Sequence, residues 1–526
     1  MSEWLSCSAS ALSQAIHQGK LSSVELMEHT LDRIHAVNPQ YNAIVSMRDP
    51  DGLLGEARQC DIEIAQGKSR GWLHGIPQAI KDLTATEGIA STRGSPIFAD
   101  HVPAQDALMV NRIRSSGALI IGKTNTPEFG LGSQTYNRLF GATLNAWDPH
   151  RTSGGSSGGA AVALALRMLC VADGSDMGGS LRNPAAWNHV LGFRPSQHLV
   201  PKLPGKDLFF AQIGTEGPMA RHAIDLMRLL AIQSGHDSKA PLSSRQDPRR
   251  FIDLALQGVR GNLNIKGLRI GWLGDLQGYL KVEAGVLDGC LSGLRRLESL
   301  GAIVSEPPLH FDPLEIWEAW VRLRSAILSL ELEPLYDDAA SREQLKPEAC
   351  WEAEMAKTLN ASQLMQASVA RSKFFLSWIS YFSQFDLLAL PAAQVHPFAN
   401  DEAWPKVING SRMDSYHRWM ETAIYATMSG SPALSLPAAF WDPDRQLVVE
   451  RHSNEAERTG ITEAGSEKDL SQHQPSKPQG AGTLLPIGLQ LIAAPQQDEL
   501  LLGLAHCYEV ANQEFMGAKP PILSRR

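Results

Sequence analysis

A layered α/β architecture is predicted for this chain, and three observations predict it. From about residue 70 to 220, short apolar runs such as Ala118–Ile121 alternate with Gly- and Ser-rich turns. That texture belongs to strands and helices packed in layers. Later runs, Asp386–Pro391 (DLLALP), Ala433–Pro437 (ALSLP) and Leu485–Ile492 (LPIGLQLI), read as buried strands. The stretches before and between them carry apolar residues at helical spacing.

Two helices are predicted at the start. Ser8 caps a segment carrying Leu12 and Ile16. Ser22 and Glu25 form a capping-box pattern ahead of Leu26, Leu31 and Ile34. A helix is predicted over 160–169, and residues 250–385 read as largely helical. Ile316, Trp317, Trp320 and Leu323 form a stripe there that reads as core. Residues 451–482 are polar and almost free of apolar side chains. They are predicted to form a mobile surface insertion, because they cannot bury enough surface to offset ordering entropy.

Bulk properties narrow the function classes. The chain has 526 residues, 43% hydrophobic and 20% charged, an ordinary globular balance. Its net charge of -8 gives no reason to expect nucleic acid or an anionic membrane as partner. The cysteines are scattered, with no CxxC pair and no Cys/His cluster at metal-ligand spacing. Reduced, mostly buried thiols are expected, and neither a metal nor an organic cofactor is indicated. The start, MSEWLSCSASALSQAI, lacks a basic segment followed by an apolar one, so a cytoplasmic location is expected. The longest apolar stretch, Ala160–Leu169, is broken by Arg167 and too short to span a bilayer.

Two motif matches fail on context. Gly117–Thr124 (GALIIGKT) fits the phosphate-loop pattern, but its middle is an apolar strand-like run and Pro127 follows. A phosphate loop needs free backbone between strand and helix, so we read a chance match. Gly154–Gly159 (GGSSGG) fits the nucleophile-elbow pattern at Ser156 and at Ser157. An elbow needs a strand leading into it, and Asn145–Ser153 (NAWDPHRTS) is turn-forming.

A third constellation is more specific. Lys81 and Asp82 end the apolar run in Gly75–Leu83 (GIPQAIKDL). GGSSGG follows, and then Gly174–Pro184 (GSDMGGSLRNP), with Ser180 placed 24 residues after Ser156. Glycine pairs let backbone N–H groups converge closely on a ligand. Converging donors stabilise an oxyanion. In this loop the amides of Met177, Gly178, Gly179 and Ser180 are the natural donors. Ser180 would still need a base. No histidine lies inside these segments; His74, His150 and His189 only flank them. A lysine can serve if burial removes its charge.

These segments resemble the amidase signature family of Ser-Ser-Lys hydrolases. The similarity extends to Gly122–Gly130 (GKTNTPEFG), Asn145–Arg151, Gly217–Arg221 (GPMAR) and Leu485–Gln490 (LPIGLQ). The resemblance implies one amidase domain over 1–526, a large mixed β-sheet covered by helices on both faces, with the catalytic core at about 70–220. It implies Ser180 as nucleophile, Ser156 as a bridging serine on a cis peptide bond, and Lys81 as base. It implies Met177–Ser180 as the oxyanion segment. Asp176 and Arg182 match positions that brace this loop, and Ser157 is expected to bond locally, with a proton-transfer role as the lesser alternative.

The activity implied is hydrolysis of a small, non-peptide carboxylic amide through an acyl-enzyme on Ser180. Lowering a lysine from near 10.4 to about 7–8 requires roughly 3–5 kcal/mol against the ammonium form. Burial can supply that, with neighbouring Asp82 opposing it if unpaired. Trp187, Tyr136, Phe209 and Phe210 are candidates for an acyl pocket, each with packing as the plainer role. Two other functions stay open. One is the glutaminase subunit of a tRNA-dependent amidotransferase, which usually has Gln where this chain has Asn183. The other is a non-catalytic binding protein on the same fold. Oligomeric state is left open, a homodimer included.

Overall fold

Strands that are apolar at nearly every position belong in a sheet covered on both faces. Leu387–Pro391, Ala433–Asp442 and Leu485–Ala493 are such strands, and every residue in them is buried. The computed structural model describes residues 3–450 and 483–524; the expected insertion at 451–482 lies outside the described residues.

These three strands form the middle of a nine-stranded sheet. Its order runs Ile303–Ser305, Arg269–Trp272, Leu387–Pro391, Leu485–Ala493, Ala433–Asp442, Leu191–Arg194, Thr215–Ala220, Val171–Asp176, with Leu447–Val449 paired onto Ala433–Asp442. The first three strands are mutually parallel and the remaining pairs antiparallel, so the sheet is mixed. Side chains alternate between its faces. Leu387 and Ala389 join the apolar cluster on one side, Leu388 and Leu390 the cluster on the other. Helices Ala223–Gln233, Arg249–Val259, Val286–Ser299 and Asp498–Ala511 cover the first face. Helices Pro313–Asp337, Ala361–Tyr381 and Ile424–Ser429 cover the second with an aromatic layer that includes Trp317, Trp320, Phe374 and Trp378.

The expectation for 250–385 needs one correction. Two short strands, Arg269–Trp272 and Ile303–Ser305, interrupt the helices there. Runs of three or four residues carry too little periodicity to separate from helix ends. The opening helices follow their caps. Ser8 accepts from Ala11 N–H at the start of Ala9–His17. Ser22 and Glu25 close a reciprocal box at the start of Ser23–Tyr41.

A second, three-stranded sheet positions the site. Leu119–Thr124 lies between Ile44–Val45 and Pro77–Lys81. Its parallel register sets Ile80 beside Lys123 and Lys81 beside Thr124. Lys81, the last residue of its strand, donates its backbone N–H to both Asp173 oxygens at 3.2 and 3.3 Å. That contact joins the small sheet to the edge strand of the large one. Among the described residues, no helix is long and apolar enough to cross a membrane.

Candidate active site

Lys81 is fully buried at the end of its strand. Its Nζ lies 2.7 Å from Ser156 Oγ, 2.8 Å from Ser157 Oγ and 3.1 Å from Ser175 Oγ. Both serines of the GGSSGG turn therefore meet the amine. Ser157, expected to bond locally with a proton-transfer role as the lesser alternative, reaches the same nitrogen as Ser156. Ser175 was not singled out by sequence reasoning. It shares a strand face with Asp173, but nothing local in the sequence shows that this face meets Lys81.

The peptide bond between Gly155 and Ser156 is cis. Ser133 Oγ and Thr135 Oγ1 hold the carbonyls of Gly155 and Gly154. Helix Gly158–Ala165 leaves the turn at once, and its first residues tolerate no side chain. A Cβ on Gly159 would lie 2.4 Å from Asn125 N and 2.5 Å from Ala43 O.

Ser180 follows Gly179, whose φ of +99° favours glycine. The Ser180 carbonyl accepts from Ser157 N–H at 3.2 Å, which seats the loop on the serine turn. Ser180 is 9% exposed, whereas Lys81 is fully buried. Among the described residues, no hydrogen bond joins the Ser156 and Ser180 hydroxyls.

Asp176 organises the loop. Arg182 Nη2 and Nε bind its two oxygens at 2.7 and 3.0 Å, and Arg194 Nη1 lies 3.4 Å from Oδ1. Burial pushes this carboxyl up, but Arg182 and Arg194 outweigh that and hold it well below the ordinary carboxylate range. The same carboxylate accepts from Gly179 N–H at 3.0 Å and Leu181 N–H at 3.1 Å. Of the four amides expected to face an oxyanion, Gly179's is thus already engaged.

Burial pushes Lys81 down to about 7, against the opposing pull of Asp173, Asp176 and Glu216. Asp82, expected to oppose only if unpaired, is engaged elsewhere and is not among those groups. It binds Thr92 and Gly94 and faces Lys123 instead. Lys123, the lysine of the phosphate-loop match, is buried in its strand. It donates to Thr84 O, Thr86 Oγ1 and Ser91 Oγ at 2.6, 2.8 and 3.1 Å, which bears out the reading of a chance match.

The aromatic candidates divide. Trp187 is core, stacked on Trp419 at 5.6 Å. Phe209 and Phe210 are 70% and 48% exposed and belong to the surface. Tyr136 lines a narrow cleft with Leu131, Ser133, Glu348, Trp404 and Tyr416, next to the serine turn. The larger cavity, about 440 Å³, lies elsewhere, lined by Ser196, His198, Ser244, Gln246 and Gln496.

The Amidase family model matches residues 25–502. The chain belongs to the amidase signature family. This amidase is 32% identical to an acylamidase of Rhodococcus erythropolis over 460 residues, covering 86% of this chain and 93% of that protein. It is 30% identical to a glutamyl-tRNA(Gln) amidotransferase subunit of Carboxydothermus hydrogenoformans, covering 98% of this chain and 99% of that one. Its fold matches a bacterial aryl acylamidase of the amidase signature family with a TM-score of 0.82 at 25% identity, covering 98% and 99% of the two chains. The amidase is an amide-hydrolysing enzyme, and its mixed sheet with helices on both faces is that of its family.

Proposed function

We propose that this amidase cleaves the C–N bond of a small, uncharged, non-peptide carboxylic amide through an acyl-enzyme on Ser180. Neutral Lys81 and Ser156 form the proton relay. One observation carries the reading: a fully buried amine 2.7 Å from the Ser156 hydroxyl, in a site that brings it down to about 7. A base is most effective when its pKa lies near the working pH.

The steps follow from the chemistry of the groups. Lys81 Nζ takes the Ser156 proton, and Ser156 takes that of Ser180 as the Ser180 hydroxyl turns toward it. Ser180 Oγ attacks the amide carbonyl. The amides of Met177, Gly178 and Ser180 stabilise the developing oxyanion, while Gly179 N–H stays on Asp176 and fixes the loop. The relay then runs in reverse, protonates the leaving amine and releases it. Water, activated by the same relay, frees the acid.

The test is a panel of aliphatic and aromatic amides, esters and glutamine, together with labelling of Ser180 by a fluorophosphonate. Amide turnover and labelling are expected in the intact chain, and both are expected to vanish in Ser180→Ala. Retained turnover in that variant overturns the assignment. A non-catalytic protein on this fold would fail to label while remaining folded.

The full-length similarity to the amidotransferase protein supports a second reading, a glutaminase dependent on a partner subunit. Asn183 weighs against it. It stands where such glutaminases usually have Gln, and it is buried with Nδ2 donating to Ser133 Oγ at 3.0 Å. Glutaminase activity that arises only with a co-purifying subunit would favour this reading over the first.

A further inference from the structure

The relay lysine faces carboxylates that no bonded cation offsets. Strand Val171–Asp176 pairs with Thr215–Ala220 so that Ser175 stands opposite Glu216. Asp173, two residues before Ser175, holds the Lys81 backbone N–H with both oxygens. Glu216 accepts from Thr84 Oγ1 at 3.3 Å, in the segment just after Lys81. Both carboxylates are buried, at 0% and 4% exposure. Among the described residues, neither has an ion-pair partner within 4 Å. Asp176 differs, because Arg182 and Arg194 neutralise it.

We propose that Asp173 and Glu216 are positioning residues that set the pH at which Lys81 gives up its proton. The inference rests on the reading of Lys81 as base. Burial by itself drives an amine toward neutrality and can leave it a very weak base. A negative charge close by favours the ammonium form and returns basicity to the amine. Two carboxylates, on the edge strand that meets Lys81 and on the strand beside it, provide that counterweight.

The surrounding charges are these. On strand Val171–Asp176, the charges of Asp173 and Asp176 favour the ammonium form of Lys81. Glu216 does so from Thr215–Ala220, and Lys202 opposes it from the loop beyond Leu191–Arg194. Lys123, on the neighbouring strand, favours the Asp173 carboxylate. Asp82, next along the chain, is held by Thr92 and faces Lys123. Burial pushes Asp173 itself up to about 7, so the cluster takes up protons as a coupled set near neutral pH.

The experiment measures the rate of fluorophosphonate labelling of the intact chain against pH, for the wild type, Asp173→Asn and Glu216→Gln. Asparagine keeps an oxygen to accept from Lys81 N–H while removing the charge. The wild type is expected to lose labelling as pH falls through about 7. Each variant is expected to lose it at lower pH. A downward move of one unit raises labelling at about pH 6, relative to each protein's plateau, by about fivefold. An unmoved midpoint with only a lower plateau, or a midpoint moved upward, overturns the inference and leaves a packing role. If Asp173→Asn does not fold, Glu216→Gln decides alone by the same criterion. A wild type with no acid limb refutes Lys81 as base, and this proposal with it. A wild-type limb that neither variant moves refutes this proposal and leaves the base in place.

Discussion

Lys81 is an amine in a place that disfavours its ordinary charged form. The Lys81→Met chain is therefore expected to be more stable than the wild type at neutral pH, by up to ~3–5 kcal/mol. The sign follows from linkage. With its folded pKa below the unfolded one, the lysine destabilises fully below about 7, and the penalty fades as pH rises to about 10.4. Urea denaturation of both chains at several pH values measures the gap, which is expected to close toward alkaline pH. The same variant and Ser180→Ala are each expected to lose at least ~1,000-fold in amide turnover, because relay groups act as a unit. Circular dichroism and turnover together check that folding survives while activity does not. The segments carrying Lys81, Ser156 and Ser180 were legible as one constellation, because glycine-serine loops and a lysine ending an apolar run are local features; the role of each residue came only from the family resemblance. Asp173 was not legible, since an aspartate within an apolar run gives no sign of which strand it will lie beside.

Short elements hold these groups by close backbone approach, and that too can be tested. Gly159→Ala forces a Cβ to 2.4 Å from Asn125 N and 2.5 Å from Ala43 O, both backbone atoms. The cost is expected to be at least ~1–3 kcal/mol in urea denaturation, with slower Ser180 labelling as the serine turn shifts. Ser22→Ala makes the contrasting case. It removes a side-chain cap and is expected to cost ~1 kcal/mol without changing turnover per folded enzyme. Caps and long apolar strands were readable because their determinants are local in sequence. The strands Arg269–Trp272 and Ile303–Ser305 were not, because their pairing with each other and with Leu387–Pro391 decides them. The exposure of Phe209 and Phe210 was likewise hidden, since aromatic composition does not say which side of a loop faces water.

Across the whole molecule, one buried network ties the Ser180 loop to the distant strand Leu485–Ala493. Arg182 binds Asp176, the Ala423 carbonyl and the Gln490 side chain. Helix Arg182–Asn188 meets strand Leu485–Ala493 at Gly488, where a Cβ would lie 2.5 Å from that of Ala186. Replacing Arg182 with Leu leaves a buried carboxylate short of its main partner and is expected to cost ~3–5 kcal/mol. Asp176, held low by its arginines, contributes stability that is present above its unfolded value near 3.9 and lost as pH falls below it. Part of that acid-side loss is expected to disappear in Arg182→Leu, as read by thermal unfolding from about pH 3 to 7.

By itself the sequence determined the layered α/β class, the caps, the buried strands and the order of the lysine and serine segments. These depend on local periodicity and on backbone freedom at glycine, which neighbouring residues express directly. Tertiary structure decided which groups surround the amine. Ser157 and Ser175 join it, Asp82 turns away toward Lys123, and Asp173 and Glu216 approach on strands of a different sheet. Charge at a buried atom is set by what lies within a few ångströms in space, and only the pairing of distant strands fixes that.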